Sequence, residues 1–387
     1  MARGQNTQPG DGVVALIDGF IDRAVETGAS DVHFEPTDEA VLVRFRVDGR
    51  LHDVEHLPVS LLPNVVTRLK VMAGLLTYRV DIPQEGGLAL GNGHALDVRV
   101  STFPTIRGER VAVRLLPRTG AVRSLDELGL SDHVVGQLLA ATADRQGLLL
   151  ATGPAGSGKT TTLYAILRHL LATLPGTSIM TVEDPVECRL DGVAQIQVTP
   201  QGELTYARAL RSLLRQDPQI ILIGEIRDAE TAHIAIEASL TGHLLLSTMH
   251  SGSPAEAIVR LREMGIAGYQ LTSAVRLVLS QRLLRAVCDQ CRGRAGADGD
   301  GQDRGCTACL GSGFRGRTAC AEVADMSSTL RAAILDSADA ERLASVIGAV
   351  PEHVDLAADA RRHVTAGRTT AAEVESIVGR PIPSDDA

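Results

Sequence analysis

The chain has no tryptophan, and aromatic residues make up only 2% of its 387 positions. Its cores must therefore be built from Leu, Val, Ile and Ala, and there is little to form stacking platforms for single-stranded bases. Positive charge is also short, at 38 Lys and Arg against 47 Asp and Glu, for a net charge of -9. Such a balance argues against a protein that wraps duplex DNA, because that binding draws on a basic surface. No apolar run approaches the roughly 18 residues that span a bilayer, and the polar first twelve residues lack a signal-peptide core. A cytosolic protein is the expectation. Six cysteines are too few for a secreted disulfide scaffold of this length. Four of them form two Cys-x-x-Cys pairs, which in a reducing compartment suggests metal.

With 44% hydrophobic residues there is ample material for cores and for two domains. Residues 1–12 read as a disordered tail. Apolar positions 13, 14, 16, 17, 20, 21 and 24 predict an amphipathic helix over 13–25. Strands are expected at 32–34, 41–47 and 50–54, with Asp48 and Gly49 as a hairpin turn. A helix over 61–76 follows, then a hairpin turning at Asn92 and Gly93 between 88–90 and 95–100, and a strand over 110–115. Residues 13–118 thus predict a small α+β domain, with a linker at 117–123. Beyond it strands at 147–152, 178–183, 193–198, 219–224 and 244–248 alternate with helices, the α/β pattern of a mostly parallel sheet. Residues 327–378 predict short closing helices.

The most informative stretch is Gly153, Pro154, Ala155, Gly156, Ser157, Gly158, Lys159 and Thr160, set between an apolar strand and a helix that continues through Thr161. This is a P-loop in its proper context. Its glycines let backbone N–H groups turn toward phosphates, Lys159 brings charge to the β- and γ-phosphates, and the Thr160 hydroxyl can ligate Mg²⁺. ATP is the expected ligand. The apolar run 220–223 leads to Gly224 and Glu225, a carboxylate placed to hold Mg²⁺ as in a Walker B element. The strand ending at Glu183 delivers Glu183, Asp184 and Glu187 to the same end of the sheet; a merely solvated acidic turn there would repel an anionic ligand. His243 and His250 bracket the next strand, and one of them could report whether a γ-phosphate is present.

Cys288, Cys291, Cys306 and Cys309 have 14 residues between the pairs, close to the usual spacing of a four-cysteine zinc site. A redox dithiol is the competing reading, but neither pair lies in a thioredoxin-like βαβ context. Cys188 and Cys320 read as structural thiols. The sequence 298–301 resembles the start of a calcium loop but has no glutamate where an EF-hand needs one, so it reads as a flexible loop.

Four blocks, 28–36, 183–187, 214–228 and 241–250, resemble the motifs of the type II secretion and type IV pilus ATPase family, and the likeness runs from about residue 13 through nearly the whole chain. It implies a RecA-like P-loop NTPase core (119–285 and 319–387), a PAS-like N-terminal domain and a zinc knuckle over 286–318. Glu187 would then activate water, Glu225 would stand on the metal side and His250 would contact the γ-phosphate, with Glu183 and His243 as further candidates. Arg99 and Arg114 match the family's two arginines that reach the triphosphate on domain closure. The resemblance also implies a homohexameric ring at the inner face of the cytoplasmic membrane, peripherally bound through a multi-pass platform protein. The cysteines favour assembly of a pilus or pseudopilus over retraction; a DNA-uptake or conjugation motor and a non-hydrolysing scaffold are the alternatives. Three departures stand out: Gln219 for the usual Asp, Gly87 for a common Arg, and no long N-terminal docking domain.

Overall fold

The computed structural model describes residues 9–89, 96–117, 122–199, 202–293 and 306–379. The Asn92–Gly93 turn, the 298–301 loop, most of the linker and the first eight residues lie outside these. The chain folds as two compact units, Met1–Gly120 with Cys288–Arg315, and Ala121–Val287 with Gly316–Ala387.

In the first unit a helix α1 (Pro9–Glu26), starting four residues before the periodicity marks it, precedes β1 (Asp31–Pro36), β2 (Ala40–Val47), β3 (Arg50–Pro58), α2 (Leu62–Met72), β4 (Gln84–Ala89), β5 (Leu96–Thr105) and β6 (Gly108–Pro117). The strands make one antiparallel sheet in the order β3-β2-β1-β6-β5-β4. Alternation decides which face is buried: in β2, Val41, Val43, Phe45 and Val47 point inward while Leu42, Arg44 and Arg46 do not. Ile17, Phe20 and Ala24 of α1 and Val65, Val66 and Leu69 of α2 close over that apolar face. The opposite face is polar. The expected Asp48–Gly49 turn is present, both residues at positive φ (49° and 86°), with Val47 paired to Arg50.

The second unit contains α3 (Asp132–Ala143), β7 (Gly147–Thr152), α4 (Lys159–Thr173), β8 (Ile179–Glu183), β9 (Ala194–Gln197), α5 (Tyr206–Leu213), β10 (Ile220–Ile223), α6 (Ala229–Leu240), β11 (Leu244–Met249), α7 (Pro254–Glu263), α8 (Gly268–Ala274), β12 (Val275–Val287), β13 (Phe314–Asp325), α9 (Ser328–Leu335), α10 (Ala340–Gly348), α11 (Leu356–Thr365) and α12 (Ala371–Val378). Its sheet runs β13-β12-β7-β11-β10-β8-β9, and every pair from β12 to β9 is parallel. A sheet covered on both faces needs strands apolar on both. All residues of β7, β10 and β11 are accordingly buried. Leu148, Leu150, Ile221 and Leu245 enter the core beneath α5–α10, and Leu149, Ala151, Leu222 and Leu246 the core beneath α3 and α4. The closing helices at 327–378 are four, each with a side-chain N-cap from Ser327, Asp339, Asp355 or Thr370. The long strands β12 and β13 were not anticipated from the sequence.

Candidate functional site

Because β7, β8, β10 and β11 are parallel, their carboxyl ends share one edge, where open α/β sheets place ligands. The registers put Thr152 level with Met249, and Ile223 level with both Ser247 and Val182. The P-loop, Glu183, Glu225 and His250 all follow from this one row.

The loop needs its glycines for space as well as rotation. Gly153 has φ 144°, and a Cβ there would lie 2.5 Å from the Gln281 carbonyl; at Gly158, φ 87°, it would lie 2.8 Å from Gln281 Nε2. Gly158 caps α4, so the free N–H groups and partial positive charge of that helix start face the loop. Lys159 is buried, and its Nζ donates to the carbonyls of Gly153 (2.7 Å) and Pro154 (2.8 Å). Burial, with Arg282 adding to it, moves this amine below its usual range, against the pull of Glu225 and Glu187. An anionic ligand here would restore the charged form. Thr160 and Thr161 continue the first turn of α4.

Gln281 on β12 clamps this element from below. Its Nε2 donates to the Ser157 carbonyl and its Oε1 accepts from Thr162 Oγ1, both at 2.8 Å. Its neighbour Arg282 donates to the Gly252 carbonyl (2.8 Å) and lines a cleft of about 520 Å³ with Gly153, Pro154, His250, Glu256 and Arg260. Sequence reasoning missed both. The sequence signal is slight: Ser280, Gln281 and Arg282 stand together between Leu277–Leu279 and Leu283–Leu284, and it is the structure that shows Ser280 and Gln281 enclosed.

The acidic residues divide into distinct environments. Glu225 is only 13% exposed, forms an ion pair with Arg227, and lies 3.5 Å from His250 Nε2. His250 itself is half exposed, with its carbonyl held by Arg260 (3.0 Å) and the adjoining Ser251 tied to Thr152 Oγ1. Glu183 is buried and accepts from Tyr164 OH, Thr181 Oγ1 (2.5 Å) and Gln195 Nε2 (3.2 Å). Glu187 keeps surface in contact with water, yet lost hydration, then repulsion from Glu183, moves its carboxyl above the ordinary range. His243 is not brought to this edge. It precedes β11 at the opposite end, with Nδ1 3.0 Å from the Ala238 carbonyl, and the six residues of β11 put roughly 20 Å between it and His250.

In the first unit Arg99 and Arg114 face one another across β5 and β6 on the polar side of the sheet. Arg114 Nε donates to Asp31 Oδ1 at 2.9 Å. Burial pushes the Asp31 carboxyl up, but the Arg114 and Ser30 hydrogen bonds outweigh it and hold the group below its usual range.

The four paired cysteines have their Sγ atoms within 4.8 Å of one another, three contacts being 3.7, 3.7 and 3.8 Å. Four sulfurs at about 2.3 Å from a tetrahedral zinc stand about 3.8 Å apart, so the donor set fits. The Cys306 backbone N–H pulls the Cys291 thiol down to about 7, whereas burial pushes Cys309 up to about 11, a cost that a dication would reverse. This segment lies between β12 and β13 in sequence but groups with the first unit, where Leu310 packs on the core.

Against known proteins, residues 7–376 match the family described as "Type II/IV secretion system protein". The chain belongs to that family. It is 41% identical over 376 residues to type II secretion system protein E of Dickeya dadantii, covering 94% of this chain and 75% of that protein. To type II secretion system protein HxcR of Pseudomonas aeruginosa it is 42% identical over 370 residues, covering 95% and 78%. Among solved structures, the Legionella pneumophila ATPase DotB superposes with a TM-score of 0.71 at 23% identity, over 94% of this chain and 95% of that one. The pilus retraction motor PilT with bound ADP gives 0.63 at 22%, over 95% and 97%. The family read from the motifs is thus borne out, and this secretion-family chain shares the α/β fold of DotB and PilT.

Proposed function

We propose that this chain is an Mg²⁺-dependent ATPase that works as a homohexameric ring at the inner face of the cytoplasmic membrane, driving assembly of a type II pseudopilus or type IV pilus against a multi-pass platform protein. The observation that carries the reading is the convergence of P-loop, Glu225, Glu187 and His250 at one edge of a parallel sheet. A triphosphate would take the N–H groups at the start of α4 and the Lys159 ammonium, which exchanges its loop carbonyls for phosphate oxygens. Thr160 and Glu225 would hold Mg²⁺, which supplies charge neutralisation on the phosphate oxygens. The shifted Glu187 carboxyl suits proton transfer from the attacking water better than an ordinary carboxylate would. His250, on Glu225, would sense the terminal phosphate. Arg99 and Arg114 would add guanidinium charge to the transition state, as the motif resemblance implies. The cysteine cluster would hold one structural Zn²⁺.

The test is a separation of defects. Lys159→Ala is expected to abolish nucleotide binding, measured with a fluorescent ATP analogue. Glu187→Gln is expected to bind nucleotide normally and to keep only a small residual rate of phosphate release with Mg²⁺ present. A Glu187→Gln protein that hydrolyses ATP at the parental rate removes Glu187 from the chemistry.

A further inference from the structure

Residues 184–190, which carry Glu187, belong to no helix or strand. Something else must hold the carboxylate in place. Gln195, opposite Thr181 in the β8–β9 pairing, reaches both sides of this turn. Its Nε2 donates to the Cys188 carbonyl at 2.9 Å and to Glu183 Oε1 at 3.2 Å, and its Oε1 accepts from Leu190 N at 2.7 Å. Two residues along β9, Gln197 Oε1 accepts from Val186 N at 3.3 Å. The residues on either side of Glu187 are thus each held by a β9 glutamine.

The geometry points to Gln195 as the positioning residue for Glu187, with the buried Glu183 carboxylate as its anchor. This inference rests on the reading of Glu187 as the water-activating group. Glu183 is anchored in turn: Tyr164 and Thr181 also donate to it, so its oxygens are committed and it is poorly placed to take a proton from water. Tyr164 lies five residues after Lys159 on α4. One continuous chain of hydrogen bonds therefore runs from the helix that grips phosphate, through Glu183 and Gln195, to the turn that presents Glu187. Displacing a reacting group by an ångström can cost up to about a hundredfold in rate, whereas phosphate binding does not depend on where Glu187 stands.

Gln195→Met keeps the length of the side chain and removes its hydrogen bonds. We expect kcat for ATP hydrolysis to fall roughly tenfold or more while KM and nucleotide affinity stay within about twofold of the parent. In a Glu187→Gln background the same change should cause no further loss of the residual rate, because the group being positioned has already lost its function. A purely structural role would depress both backgrounds alike, and that result overturns the inference, as does parental kcat in Gln195→Met alone. Should Gln195→Met lack a cooperative melt, Gln195→Leu removes the same hydrogen bonds without adding a charge beside Glu183; its kcat must fall as well. Parental turnover in Glu187→Gln would instead sink the reading of Glu187 itself, and an inactive Glu187→Gln beside a parental Gln195→Met sinks only the role of Gln195.

Discussion

Replacing Arg114 with alanine separates a motor arginine from a surface one, because the structure sets the two expectations far apart. The side chain is 66% exposed and, among the described residues, its ion pair is with Asp31. Exposed pairs contribute about 0.2–1 kcal/mol. Asp31 would still have the Ser30 hydroxyl (2.9 Å) and Arg46 (3.6 Å), and loss of Arg114 relieves its repulsion with Arg99. The net destabilisation is thus at most about 1 kcal/mol, a shift in Tm of no more than about 2–4 °C for a unit of this size. As a transition-state contact, by contrast, the guanidinium should be worth roughly a hundredfold in kcat, or about 2.7 kcal/mol. Nucleotide affinity should change far less, because such a contact forms chiefly in the transition state. The assay is steady-state phosphate release on Arg99→Ala and Arg114→Ala, beside thermal melts and equilibrium binding of a fluorescent ATP analogue. Parental turnover in both variants would refute the reasoning and leave the first unit as an assembly or docking module. A turnover loss matched by a large fall in Tm would refute the claim that the effect is catalytic.

Metal analysis of protein never exposed to chelator should give one zinc per chain, and Cys288→Ser/Cys309→Ser should remove it; well under one zinc, or zinc that survives the substitution, rules the site out. His363 is buried between Thr318 and the Ala319 carbonyl, and burial, reinforced by Arg362, holds its imidazole below the usual range. Its folded pKa is lower than the unfolded value, so on acidification the unfolded chain takes up the proton first; the associated stability is complete above about pH 6.5 and is lost as pH falls below it. The Tm of the parent should accordingly drop more steeply between about pH 7 and pH 5.5 than that of His363→Gln; equal slopes would exclude this contribution.

The parts of the fold that could be read from sequence were those where one residue pattern admits one structure. The strand at 147–152 can be located to the residue because its apolar positions, Leu148 to Ala151, run up to a Gly153–Pro154 pair that does not continue a strand. The Asp48–Gly49 turn was equally explicit. β12 was not, because polar Ser280, Gln281 and Arg282 interrupt its apolar run; Gln281 binds the P-loop and Ser280 and Arg282 the loop at Gly252, a reason visible only in three dimensions. The acidic block at 183–187 showed that carboxylates meet the phosphate edge but not that Glu183 would be enclosed by Tyr164, Thr181 and Gln195 while Glu187 stayed open. His243 and His250 looked symmetric about a strand. A parallel strand has two unlike ends, however, and only His250 lies at the carboxyl one.

The cross-strand pairing of Arg99 with Arg114 carries a consequence for engineering. Like charges in directly opposed positions weaken a sheet, and Asp31, paired with Arg114, offsets part of the repulsion. Design for heat resistance would select against this pair, and Arg99→Thr would commend itself as an improvement, since threonine suits strands and carries no charge. A library screened for thermal tolerance alone should therefore enrich changes at position 99 and, on the proposed role of that arginine, fill with well-folded, idle proteins.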